Sequence, residues 1–333
     1  MNGRVVRRRR PRIGALCGLM ITGFVAVLAG WPARASAQGS PSLQGSAQTR
    51  PSPRPGAPDG IVYKIVRAGA PPSYLVGTLH LGDERVKLPR VVEPLLGEVR
   101  LVLLELDPKQ MDGSPATAKR VARDLAESDP SRRAKALLSP TDFLALGNWM
   151  KERNLPARML DGKLSALVLL LDGQDGSREA DRGAGLDAQL AELSASRNLP
   201  VGGLETIVET VRALDDVPPQ VLAEVLMRMM ATRDQHLRIR ERTVQYYEAG
   251  DDGGLYAWMR QPSYLSETPP LGLPPAFLEA ILERRTAIFA ARALPELDKG
   301  GVLIAVGAAH LAGPHGLVEL LGRGGFNVRR LGR

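Results

Sequence analysis

One phrase occurs twice in this chain, and it restricts the available folds more than any other feature. Tyr74-Leu75-Val76-Gly77-Thr78-Leu79-His80-Leu81-Gly82 stands near the start of the foldable part. Leu303-Ile304-Ala305-Val306-Gly307-Ala308-Ala309-His310-Leu311-Ala312-Gly313 stands near its end. Each copy is an apolar run of strand character, then Val-Gly-x-x-His-Leu, then a small residue. Glycine after a strand permits a sharp turn or a close approach, and a histidine just beyond can present its ring at the sheet edge. The chain has only four histidines, His80, His236, His310 and His315, and two of them hold equivalent places in the copies. A single site built from both ends of the chain is therefore expected.

The 333 residues do not all belong to that fold. Six arginines lie within residues 1–12, an apolar run follows from Ile13 to Trp31, and Ala35-Ser36-Ala37 forms a small-x-small cut site. This order reads as a secretory signal peptide over 1–37, placing the mature protein in the periplasm or outside the cell. An uncleaved N-terminal membrane anchor is the alternative. Residues 38–58, rich in Gly, Ser and Pro, read as a flexible tether, and 59–333 as the folded domain. The leader carries seven of the 44 basic residues and no acid, which leaves 37 basic against 36 acidic residues. The basic balance belongs to the leader, so nucleic acid is not an expected partner. The single cysteine, Cys17, lies in the leader, which rules out a disulfide framework, a thiol enzyme or a thiolate zinc site in the mature domain.

Strand patterns cluster at the two ends of the domain, over 61–67, 73–76, 100–106, 302–306 and 326–331. Between them, from about 116 to 282, apolar residues recur at helical spacing over 117–128, 140–152, 163–172, 186–197 and 219–247. A short strand at 201–205 interrupts this run, feeding a helix from Thr206. A further helix is expected from Phe277 to Leu294, ending before Pro295. The expected class is α/β, with a sheet built from the N- and C-terminal parts and a large helical insertion.

Glu105 is the third candidate site residue. It lies in Leu101-Val102-Leu103-Leu104-Glu105-Leu106, a strand expected to be buried, where a carboxylate is costly unless paired or bound to a metal. His80, Glu105 and His310 each fall at or just past the C-terminal end of a strand. Parallel neighbours would put those ends on one edge, where α/β sheets usually bind ligands. Two imidazoles and a carboxylate suit a catalytic divalent cation such as Mn, Co or Zn. Metal-free acid–base work by the same groups is the alternative. His236, among arginines, reads as part of a solvated face, and His315 as a turn residue. There is no H-E-x-x-H, G-x-S-x-G or P-loop.

The phrases Y-L-V-G-T-L-H-L-G-D (74–83), L-L-E-L-D (103–107), G-L-D-A-Q-L (185–190), G-L-E-T (203–206), Y-Y-E-A-G-D (246–251) and V-G-A-A-H-L-A-G (306–313) resemble the TraB/GumN family. That family includes the Tiki proteins and is distantly similar in fold to erythromycin esterase and the haem-binding ChaN proteins. The resemblance covers about 61–333. It implies a central mixed sheet with both G-x-x-H motifs at one site, and, by likeness to Tiki members, a divalent-metal-dependent peptidase. Carried over, His80, Glu105 and His310 would hold the metal, supported by Gly77, Gly307, Asp187 and Glu205. A peptide or protein substrate follows from the same likeness. Capture of a peptide, haem or polysaccharide precursor without turnover is the alternative, as is metal-free ester hydrolysis. The family usually carries Glu-Arg-Asn on the helix before the last histidine. Here Glu283 and Arg284 match, and Arg285 replaces the asparagine. Arg284 is thus either an electrostatic helper in catalysis or a surface ion pair.

Overall fold

The computed structural model describes residues 60–80, 83, 85–108, 115–174 and 185–332. The leader and tether expected over 1–58 lie outside the described residues. The strands are β1 (Val62–Val66), β2 (Ser73–Thr78), β3 (Leu101–Leu106), β4 (Val201–Glu205), a short ribbon of β5 (Ser266–Glu267) and β6 (Pro270–Leu271), β7 (Val302–Gly307) and β8 (Asn327–Arg330). Six of them form one mixed sheet in the order β4-β3-β7-β2-β1-β8. The two repeated phrases are neighbours: β2 and β7 run parallel, with Gly77 opposite Val306 and Thr78 opposite Gly307. β7 also pairs in parallel with β3, and β3 with β4. β1 runs antiparallel to both its neighbours, β2 and β8.

The central strands read as continuous apolar runs because both faces of the sheet are covered. Leu75, Leu103, Ile304 and Val306 pack with Tyr247, Trp258, Phe289, Ala293 and Leu321, from helices 236–248, 252–259, 285–297 and 317–323. Tyr74, Val76, Val102, Leu104, Leu303 and Ala305 face the other way, onto Val92 and Leu95 of the short helix 92–95 and Leu190 of helix 186–196. The segment 116–282 divides between layers. Helices Pro140–Glu152, Leu164–Gln174 and Pro219–Ala231 build their own core around Trp149, Met150, Leu171, Leu226 and Met230, which Phe277 and Ala280 join. Helices 186–196, 236–248 and 252–259 instead lie on the sheet.

Two helices depart from the sequence expectation. The run 219–247 is broken at Thr232, whose hydroxyl donates to the Arg228 carbonyl at 2.9 Å, and a 3-10 turn at Arg233–Gln235 separates the halves. Such back-bonding by Thr competes with the helical ladder. The helix expected over 277–294 contains a π-helical stretch at Glu279–Arg284 and then runs as an α-helix from Arg285 to Leu297, through Pro295. Leu297 is fully buried against the sheet, which holds the last turn despite the proline.

Gly300 and Gly301 feed β7 into the sheet, both with left-handed backbone (φ +69 and +66). A Cβ on Gly300 would lie 2.3 Å from the Pro71 carbonyl oxygen. Gly300→Ala is expected to cost about 1–3 kcal/mol of stability from backbone strain. Gly322→Ala, at a helical position with open space around it, should gain roughly 0.5–1 kcal/mol. Urea unfolding of both variants checks the pair; equal effects would mean the turn into β7 is not strained by a side chain.

Candidate functional site

The parallel run β4-β3-β7-β2 brings four C-terminal strand ends to one edge. His80 follows β2 by two residues, Glu105 is the penultimate residue of β3, Glu205 ends β4, and His310 closes a 3-10 turn, Ala308–His310, directly after β7. Glu105 sits at the centre. Its Oε2 is 3.5 Å from His80 Nε2 and its Oε1 is 3.7 Å from His310 Nε2. The Gly307 amide donates to Oε1. A Cβ on Gly307 would stand 3.1 Å from that oxygen, so the bare glycine backbone is what lets the carboxylate settle there.

His80 is oriented from behind. Its Nδ1 lies 2.8 Å from Asp187 Oδ2, and Thr78 Oγ1 donates to Asp187 Oδ1 at 2.9 Å. Asp187 reaches this place because helix 186–196 begins against the His80 backbone. The Leu186 amide donates to the Leu79 carbonyl, and a Cβ on Gly185 would lie 2.6 Å from the His80 oxygen. The Nδ1–H therefore points to Asp187 and Nε2 points to Glu105, while 40 % of the His80 side chain stays exposed. Burial alone would depress this imidazole, but the Asp187 and Glu105 carboxylates outweigh it and hold its pKa well above 6.5.

His310 is the opposite case. It is buried against the Phe289 ring, with centroids 5.1 Å apart. The Thr286 hydroxyl donates to the Leu282 carbonyl at 2.6 Å, so it accepts from His310 Nδ1 at 2.7 Å. That fixes the tautomer, leaving the Nε2 lone pair facing inward. Burial, helped by the Arg285 and His80 charges, depresses its pKa to about 4 despite Glu105.

Of the two roles open to Arg284, the structure shows the surface ion pair. Arg284 points to the surface, 3.3 Å from Glu279 and 3.4 Å from Asp216, and makes no contact with the histidines or Glu105 in the cluster. Arg285 enters the site instead. Its guanidinium pairs with Glu105 at 3.1 Å, grips Glu205 through Nε and Nη2, donates to the Ile281 carbonyl at 3.1 Å and lies 3.5 Å from His310 Nε2. The π-helical stretch just ahead winds differently from an α-helix and so helps set which arginine faces the sheet edge. The signal was present in the sequence: Ile281, Arg285, Phe289 and Ala293 form a four-spaced row whose later members are buried. Glu205 is 2 % exposed; its burial raises its pKa more than Arg285 lowers it. Burial would also raise Glu105, but His80, His310 and Arg285 together hold it well below the usual carboxylate range. Gly77 supports from below, where a Cβ would meet Ile61 and Leu311, and its carbonyl accepts from Tyr247.

A model described as the TraB/PrgY/gumN family matches residues 61–330. The chain belongs to the TraB/PrgY/gumN family. No curated protein and no solved structure gives a significant match. Among the described residues no three His, Asp or Glu side chains converge so as to hold an ion. Ligand atoms should stand about 2.0–2.3 Å from the ion, yet guanidinium nitrogens already lie 3.1 Å from Glu105 and 3.5 Å from His310. A divalent cation placed there would meet a fixed positive charge, so these residues as packed do not fit Mn, Co or Zn.

Three predictions follow from this geometry. In NMR titrations, the His80 ring should titrate well above 6.5 and the His310 ring near 4; the reverse order would contradict the burial and neighbouring charges described for each ring. His310 has a folded pKa below its unfolded value, so it makes stability fall as pH drops from about 6.5 to about 4. His80, with a raised folded pKa, contributes stability that is fully present below 6.5 and is lost as pH rises from there through its folded pKa. The acid slope should flatten in His310→Gln. Separately, Arg285→Met should cost about 3–5 kcal/mol, because it strands two buried carboxylates. Adding Glu105→Gln and Glu205→Gln should restore most of that loss in urea unfolding.

Proposed function

We propose that the domain hydrolyses an acyl bond, in a peptide or an ester, by metal-free proton transfer at His80. The observation that carries this reading is the Asp187–His80 pair: an imidazole pinned at Nδ1, basic, and open to solvent where the other members of the cluster are buried. Neutral His80 takes a proton from water at Nε2 while the water oxygen bonds to the carbonyl carbon and the carbonyl becomes an oxyanion. When the carbon–nitrogen or carbon–oxygen bond breaks, the imidazolium returns that proton to the leaving group. Asp187 and Glu105 flank the ring and stabilise its charge as it forms. Arg285, itself gripped by Glu205, helps hold Glu105 ionised in place. The basic leader, apolar run and Ala35-Ser36-Ala37 site support action outside the cytoplasm. Among the described residues no helix is long and apolar enough to cross a membrane.

One observation favours binding without turnover as a second reading. Glu105 already faces the Gly307 amide, Arg285 and both imidazoles, so the buried half of the site needs no ligand to be satisfied.

Peptide libraries and activated esters serve as probes of the mature domain. Hydrolysis should persist in chelator. His80→Ala should lose about 10²–10⁴ in kcat/KM without a change in melting temperature beyond a few degrees. The rate of the native domain should rise with pH through a limb above 6.5, and Asp187→Asn should move that limb to lower pH. Turnover abolished by chelator and restored by Mn, Co or Zn would overturn the metal-free reading. Stoichiometric ligand capture without product would establish the second one.

A further inference from the structure

We infer that Arg285 is a built-in cation standing in a latent metal site, and that this one side chain sets the chain's independence of metal. The inference does not depend on hydrolysis. Three features of the cluster are those of a metal site. Both imidazoles commit Nδ1 to a rear partner, Asp187 for His80 and Thr286 for His310, and turn Nε2 inward. This is how metal-ligating histidines are held. Both Nε2 atoms converge on one carboxylate, each near a different oxygen, at 3.5 and 3.7 Å. Glu105 itself accepts from the Gly307 backbone amide at the oxygen that faces His310, besides its pairing with Arg285. Two histidines and one carboxylate with open positions form a common site for a divalent transition metal.

A guanidinium lies against two of these three groups, 3.1 Å from Glu105 Oε2 and 3.5 Å from His310 Nε2. Arg285 is 7 % exposed, its Cζ lies 5.2 Å from the Phe289 ring centroid, and two carboxylates and the Ile281 carbonyl hold its head. Its charge offsets the buried Glu105 and Glu205, as a bound cation would. Because the charge is covalently attached, the site keeps it whatever metal surrounds the protein.

The test is metal binding by the native domain, by Arg285→Asn and by Arg285→Asn/Glu205→Gln, the last preserving net charge at the site if Arg285→Asn alone is too unstable. Elemental analysis and calorimetry with Mn, Co and Zn are read beside the melting temperature. The native domain should bind none of these ions in a manner dependent on His80 and His310. At least one variant should bind one ion per chain, with a melting temperature that rises with metal concentration, and adding His310→Ala should abolish both effects. Histidine-dependent stoichiometric metal in the native domain would overturn the inference. So would variants that neither bind metal nor gain stability or structure in its excess.

Discussion

The Glu105–Arg285–Glu205 triad is the interaction on which the site depends. β3 and β4 are parallel neighbours, and their ends deliver two carboxylates into a space that is almost fully enclosed. Neither could remain charged there alone, because desolvation would cost several kcal/mol per ion. One guanidinium, brought by the helix laid across the same sheet face, answers both. The packing of helix 285–297 through Phe289 and Ala293 is therefore coupled to the electrostatics of the strand ends. The hydrophobic contact positions the charge, and the charge makes the strand ends tenable.

The triad also separates the roles of the two histidines. The same guanidinium that holds Glu105 ionised lies against His310, and with burial it keeps that ring neutral. His80 is shielded from it by Glu105 and backed by Asp187, so it sees net negative charge and gains basicity. Chemically identical residues in a repeated phrase thus acquire opposite proton affinities. The difference lies in what stands behind and beside each ring, not in the phrase.

Much of this was legible in the sequence. The repeated phrase predicted that the chain ends meet, and β2 and β7 do pair in parallel. A carboxylate in an apolar run marked Glu105 because burial needs a partner. The partner was harder to read, since two adjacent arginines differ by only one residue position on a helix, and no sequence signal announces the π-helical stretch ahead of them. Asp187 was flagged only through a family phrase, and its role behind His80 depends on a helix start pressed against the β2 loop. The division of 116–282 between a separate core and the sheet layers was equally hidden. Helical spacing shows that a face is apolar, not which surface it will meet.

A bound metal and a buried guanidinium both neutralise carboxylates, but they differ in what they can give a reaction. A metal lowers the pKa of a water it holds and so generates its own nucleophile. A guanidinium does not deprotonate in proteins and offers only donors. On the proposed metal-free reading, activation of water falls to a group that can exchange a proton and reach solvent. Glu105 is buried and held in its ionised form, and His310 is buried with a low proton affinity. His80 alone in the cluster combines exposure with basicity. In the proposed reading, the buried Arg285 cation and the electrostatic preparation of His80 by Asp187 are therefore two parts of one arrangement: the fixed cation takes the place of one source of reactivity, and the Asp187 carboxylate supplies another.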